Sequence, residues 1–211
     1  MTDTPLALAG AAPASTRPMF AMICANNVNR STEAHDHLHA AGLRVCSFGA
    51  GNKVRFPGPS RYDPRIFEFF TPYQRMYDEL KRENADLFHR NGVLAMLERD
   101  ILTKKCPQRW QDLSVRELRG LDVVLCFDDR IFEIVLEDLQ LRVGDGDWAP
   151  LHLLCLDTKD TPEHAKIGGS LALELCQAID AAQDLDDGVI SAIDQFETTH
   201  KVHLQYALLY I

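Results

Sequence analysis

Positive charge is scarce in this sequence: 22 Lys and Arg stand against 31 Asp and Glu, for a formal net charge of −9. That balance argues against non-specific binding to nucleic acid or to anionic membrane. It leaves room for a protein partner, or for an anionic substrate met by a local cationic pocket. No apolar run approaches the roughly 18 residues a membrane span needs, so no transmembrane helix is expected. The six cysteines, at positions 24, 46, 106, 126, 155 and 176, form no C-x-x-C pair and show no zinc-ligand spacing. Cys46, Cys126 and Cys155 sit in apolar runs, where a thiol behaves as a small hydrophobe. A reducing compartment, cytosolic or nuclear, is therefore expected. Residues 1–18 have no basic start and no continuous apolar core; rich in Ala, Pro and Thr, they read as a disordered tail rather than a signal peptide. No internal repeat and no low-complexity core segment occurs.

What is present is an α/β pattern. Hydrophobic residues make up 46% of the 211, enough for one well-filled core, so residues 19–211 are expected to form a single domain. Short bounded apolar runs predict strands at Pro18–Ile23, Leu43–Phe48, Leu121–Phe127, Leu151–Leu156 and at the end of the chain, Val202–Ile211. Between them, helices are predicted over Thr32–Ala41, Asp129–Leu141, Leu171–Ala182 and Val189–Thr198, and a polar turn at Gly144–Asp147. Residues 49–66, with three glycines and three prolines, read as loop. An insert from about Pro57 to Arg119 reads as helical or irregular rather than stranded, with helical stretches at Tyr73–Leu80, around Leu87–Phe88 and at Val93–Leu97. The expected fold is a three-layer α/β sandwich around a mainly parallel sheet of four or five strands. In such sheets ligands sit beyond the carboxyl ends of the strands, and both Cys24 and Asp157–Asp160 fall there.

The chemistry concentrates in Ile23–Ser31, where a strand runs through a tight loop into a helix. A free thiol is a poor nucleophile at neutral pH unless its anion is stabilised. Backbone N–H groups of a loop at a helix N-terminus provide that stabilisation, and they equally cradle a phosphate dianion. Ala25, Asn26, Asn27, Val28 and Asn29 form this loop, with Asn27 suited to hold its shape. Arg30 adds a planar, permanently charged fork for two phosphate oxygens, and Ser31 can donate its hydroxyl to the Cys24 sulfur. Ester hydrolysis then lacks only an acid for the leaving oxygen. Asp160 is the natural choice, with Asp157 as its rival. Blander readings compete elsewhere. His35 and His39 lie one helical turn apart, but nothing completes a metal set, and the expected metal is none. Met76, Met96 and the aromatics of Ile66–Phe70 are more easily core than substrate platform.

C-x5-R-S near the N-terminus resembles the low-molecular-weight tyrosine phosphatases. More narrowly, the chain resembles the Ssu-seventy-two family of RNA polymerase II C-terminal-domain phosphatases. The matching blocks are Cys24–His35, Ser47–Pro59, Met76–Leu80, Asn91–Arg99, Asp128–Leu139 and Leu173–Gln177. The resemblance implies removal of phosphate from serine five of the polymerase heptad, with Cys24 as nucleophile, Arg30 as phosphate clamp and Asp160 as general acid. It implies a substrate groove involving Pro57, Phe88 and Met96, no cofactor, a nuclear location and a symplekin-like scaffold as partner. No direct contact with nucleic acid or membrane is expected. In the loop, A-N-N-V-N stands where the family often has S-S-N-Q-N. Phe88 stands where a tyrosine is usual, and Cys126–Asp129 where T-C-E-E is usual. A general tyrosine phosphatase and a non-catalytic phosphopeptide scaffold are the alternatives. The long insert argues against the first, and the intact Cys24, Arg30 and Asp160 argue against the second.

Overall fold

In the computed structural model, residues 17–142 and 149–211 are described. Most of the expected N-terminal tail and the turn at Gly144–Asp147 fall outside them. Among the described residues seven strands form: β1 (Met19–Cys24), β2 (Arg44–Gly49), β3 (Val54–Phe56), β4 (Arg65–Phe67), β5 (Val123–Cys126), β6 (Pro150–Cys155) and β7 (Gln205–Tyr210). The helices are α1 (Arg30–Ala40), α2 (Tyr73–Arg90), α3 (Val93–Thr103), α4 (Val115–Leu118), α5 (Asp129–Arg142), α6 (Pro162–Asp180) and α7 (Leu185–His200).

The main sheet has five strands in the order β2-β1-β5-β6-β7. The first four are parallel, and β7 closes the edge antiparallel to β6. β1, β5 and β6 are buried along nearly their whole length because helices cover both faces. On one face α1, α6 and α7 pack Leu38, Leu175 and Phe196 around Phe20 and Phe127. On the other, α4 and α5 pack Leu118, Phe132 and Leu139 around Ile23 and Val124. Burying each such side chain stabilises by about 1.5–3 kcal/mol. From β1 the chain crosses to β2 on one side and later to β5 on the other. The crevice beyond the ends of β1 and β5 is thus the topological switch point.

Helix α6 begins at Pro162, nine residues before the sequence pattern announces it. Thr161 caps it by accepting from the His164 N–H, and Pro162 occupies the first turn, where its missing N–H does no harm. Gly168 and Gly169 dilute the apolar periodicity but let neighbouring groups close in. A Cβ on Gly169 would lie 3.2 Å from Glu33 Cγ on α1, and one on Gly168 only 2.7 Å from the Thr158 side chain.

The insert carries its own core. β3 and β4 form a two-stranded antiparallel hairpin, correcting the expectation that the loop and insert lack strands. Each strand has only three residues, too short for alternation to register in a segment dominated by glycine and proline. Helices α2 and α3 pack Tyr73, Met76, Leu80 and Leu97 against Val54 and Phe56, and Val28 of the Cys24 loop joins the same cluster. Asn84 breaks α2 with φ −161° and ψ 83°, and its side chain accepts from the Leu87 N–H to start the second half. Gly92, at φ 79°, turns the chain into α3.

Candidate active site

Cys24 ends β1 and Arg30 opens α1, so five residues turn the chain from strand to helix. Asn27 takes the left-handed conformation at φ 54°, which its short polar side chain tolerates. The loop is pinned by the residues that follow β2: the Ala50 N–H donates to the Cys24 carbonyl and the Gly51 N–H to that of Ala25, both at 2.9 Å. Glycine is required at 51, since a Cβ there would sit 2.7 Å from the Ala25 oxygen. The Cys24 Sγ is nearly enclosed, 3.0 Å from Ser31 Oγ and 3.3 Å from the Asn27 N–H, which donates to it. The Asn27 side chain, expected to hold the loop's shape, donates to Ser31 Oγ and Ser47 Oγ at 3.1 Å each.

Arg30 is held before any anion arrives. Its Nη1 donates to the carbonyl oxygens of Phe127 and Thr158, at 2.7 and 2.8 Å, and reaches Asp128 at 3.3 Å. Those carbonyls lie just beyond β5 and β6, so the sheet itself sets the guanidinium's angle. Nε, by contrast, is buried without a hydrogen-bond partner. Burial works against the charge, but Cys24, Asp160 and Asp128 outweigh it and raise the arginine's pKa. A buried guanidinium with Nη1 anchored and Nε free of any hydrogen bond, facing only Asp160 at 3.5 Å, suits a dianion bound beside Cys24.

Asp160 follows β6 and lies over the loop. Its Oδ1 accepts from Asn29 Nδ2 at 2.8 Å and stands 3.5 Å from Arg30 Nε, while the side chain stays 47% exposed. That combination of contact with the site and access to water is what an acid that later activates water requires. Asp157 is exposed. Asn29, at the start of α1, spends its side chain on Asp160 instead of capping the helix.

Three supports escaped sequence reasoning, and all come from the insert. Tyr73 of α2 donates its hydroxyl to the Asn27 carbonyl at 2.5 Å. Arg99 of α3 donates to the Val28 carbonyl at 2.7 Å and to Thr32 Oγ1 at 2.6 Å, and pairs with Glu33 and Asp100. Lys104, just past α3, donates to Asn27 Oδ1 at 3.1 Å and to the Ser47 carbonyl at 2.8 Å. Burial lowers the Lys104 pKa to about 8 and raises that of Asp100 to about 7. Arg99 falls within a block already matched on sequence and Asp100 directly follows it, but nothing in the pattern says that they face the loop.

Pro57 and Met96 line a cleft of about 190 Å³ that also touches Asn26, Asn29 and Asp160. Phe88 does not line it: its side chain is fully buried in the insert core. The apolar ring without a hydroxyl has gone inside, and Asn91 and Pro162 stand at the cleft. Of the other candidates, Met76 is core and Phe69 nearly so, whereas Ile66 and Phe70 are half exposed. His35 and His39 stack with ring centroids 6.1 Å apart, and burial lowers the His35 pKa to about 4. Among the described residues no group of three or more His, Cys, Asp or Glu is placed to hold a metal. Burial pushes the thiols of Cys46 and Cys155 up to about 12, leaving them protonated and unreactive.

A protein-family model, Ssu72-like protein, matches residues 18–211. The chain is 37% identical over 191 residues to the SSU72 phosphatase of the RNA polymerase II C-terminal domain from Danio rerio, covering 90% of this chain and 96% of that one. It is 38% identical over 186 residues to the protein of that name from Schizosaccharomyces pombe, covering 88% and 92%. A crystal structure of D. melanogaster Ssu72 with Symplekin, bound to a cis peptidomimetic of the C-terminal domain phosphorylated on serine five, superposes with a TM-score of 0.86 at 28% identity, covering 92% of this chain and 99% of that one.

Proposed function

Because the chain belongs to the Ssu72-like family, we propose that it is a cysteine-dependent protein phosphatase acting on the RNA polymerase II C-terminal domain, at the phosphoserine in heptad position five. The observation that carries the reading is the set of groups gathered by one loop: the enclosed Cys24 sulfur beside Ser31 Oγ, the buried Arg30 guanidinium whose Nε faces Asp160 at 3.5 Å, and Asp160 itself lining the cleft with Pro57 and Met96.

The reaction proceeds in two displacements. The Cys24 thiolate attacks phosphorus while the bond to the serine oxygen breaks, and Asp160 gives its proton to that oxygen. Arg30 and the N–H groups of Ala25–Asn29 hold the equatorial oxygens, whose charge is greatest as the bonds exchange. The serine product leaves a phosphocysteine. A water molecule then attacks phosphorus, Asp160 takes its proton, the P–S bond breaks and inorganic phosphate departs with the thiolate restored. Ser31 donates to the sulfur as a leaving group in the second step.

Residues 19–211 act as one catalytic domain, the insert lending the groove. A symplekin-like scaffold of the 3′-end processing machinery is the partner, and the nucleus is the place of action; a fluorescent fusion excluded from nuclei would overturn the latter. The central test compares heptad peptides phosphorylated at positions two, five and seven. Position five is expected to turn over fastest, and Cys24→Ser to abolish turnover. Equal rates on all three, or preference for phosphotyrosine, would overturn the reading.

A further inference from the structure

We propose that Lys104 is a positioning residue for this reaction: acting through Asn27 and Ser31, it stabilises the Cys24 thiolate from behind the loop. The inference deepens the reading above and rests on it for the role of Cys24. The geometry is a chain of three hydrogen bonds. Lys104 Nζ donates to Asn27 Oδ1 at 3.1 Å, Asn27 Nδ2 stands 3.1 Å from Ser31 Oγ, and Ser31 Oγ stands 3.0 Å from Cys24 Sγ.

The direction of the chain is fixed at its far end. An ammonium and the Gln108 backbone N–H, also 3.1 Å away, both point at the same Asn27 side-chain atom, and two donors can meet only an oxygen. The Asn27 amide nitrogen must then face Ser31 and Ser47, at 3.1 Å each. With its oxygen already accepting, Ser31 turns its proton toward the sulfur. Along the three bonds of the chain each donor therefore points toward Cys24, and bonds aligned in one direction in a low-dielectric interior polarise one another. A cation at the head of the chain reinforces the polarity. The Ser47 carbonyl, at 2.8 Å, and the Phe48 ring, 5.6 Å away, hold the ammonium in place.

The groups around Lys104 bear on its charge from each packed element: Cys24 on β1, Cys46 on β2, Asp100 on α3 and the nearby Cys106 favour it, and burial opposes it. His35 on α1 feels it as a repulsive neighbour. With its pKa near 8, the side chain is charged through the neutral range and loses its proton above it.

The test is the pH dependence of Cys24 alkylation by iodoacetamide, followed by mass spectrometry, beside kcat and KM on the position-five phosphopeptide. Lys104→Met is expected to move the alkylation midpoint upward by about one pH unit, a tenfold loss of thiolate at acidic pH. It should lower kcat roughly tenfold with little change in KM, and Lys104→Arg should restore part of both. An unchanged midpoint in a folded Lys104→Met protein overturns the proposal. If that variant does not fold, Lys104→Gln keeps a donor without the charge, and a wild-type midpoint there overturns it equally. A shifted midpoint in a protein that shows no phosphatase activity even as wild type would sink the functional reading and leave the relay standing.

Discussion

The hydroxyl of Tyr73 donates to the carbonyl oxygen of Asn27 at 2.5 Å, so a side chain of the insert holds the one loop residue forced into the left-handed conformation. Tyr73→Phe removes the donor and leaves a buried carbonyl unmatched. A loss of about 1–3 kcal/mol in stability is expected, with kcat reduced severalfold. Urea denaturation and steady-state kinetics on the same preparation check both, and unchanged values in each would show that the bond contributes nothing.

Asp160 and Asp157 are separated by their contacts. Asp160→Asn is expected to slow turnover by about 10²–10⁴-fold while vanadate still binds, because the Phe127 and Thr158 carbonyls still anchor Arg30 and the loop amides remain. Asp157→Asn should leave turnover near wild type, since that side chain is exposed. Unimpaired turnover in Asp160→Asn would hand the acid role to Asp157.

Asp100 gives stability a pH dependence of definite sign. Burial raises its folded pKa to about 7, against 3.8 for an unhindered carboxyl. The folded state therefore holds this proton more tightly than the unfolded one, and the associated stability is full below about 3.8 and lost as pH rises through about 7. Relative to wild type, Asp100→Asn should lose least at pH 8 and most at pH 5. Denaturation midpoints at the two pH values measure it, and a constant difference would contradict the shift.

His35 has the opposite effect on the acid side. Burial keeps its ring neutral down to about 4, against 6.5 in the unfolded chain. Stability is then intact above 6.5 and falls as pH drops toward 4, where the unfolded chain takes up a proton that the folded one resists. Because Nδ1 is buried without a partner, His35→Leu breaks no hydrogen bond there. It should flatten the decline between pH 6.5 and 4, as read from thermal midpoints.

Much of the fold is legible in the sequence because its strands are bounded apolar runs and its crossovers have ordinary lengths. The strand predicted at Leu151–Leu156 forms at Pro150–Cys155, and Asp129–Leu141 forms as α5 with one residue more. Cys24, Arg30 and Ser31 are legible because loop chemistry is local: their spacing alone puts them around one point. Tyr73, Arg99 and Lys104 are not, because they reach the loop from 46 to 77 positions away along the chain. No periodicity records such a contact. Phe88 is misplaced by the sequence for the converse reason: an aromatic at a family groove position says nothing about which way its helix is turned, and α2 turns it inward. Helix α6 reads too short because Gly168 and Gly169, which allow its close packing, also erase the apolar stripe.

The insert supplies Met96 to the cleft and Arg99 to the loop from one turn of α3. That shared helix makes the enzyme hard to treat as modular. A different insert grafted onto this sheet to retarget it would arrive without the brace for Asn27 and Val28. The insert moved to another cysteine phosphatase would bring an arginine matched to a loop it does not find there. Selectivity and nucleophile have to be redesigned, and inherited, together.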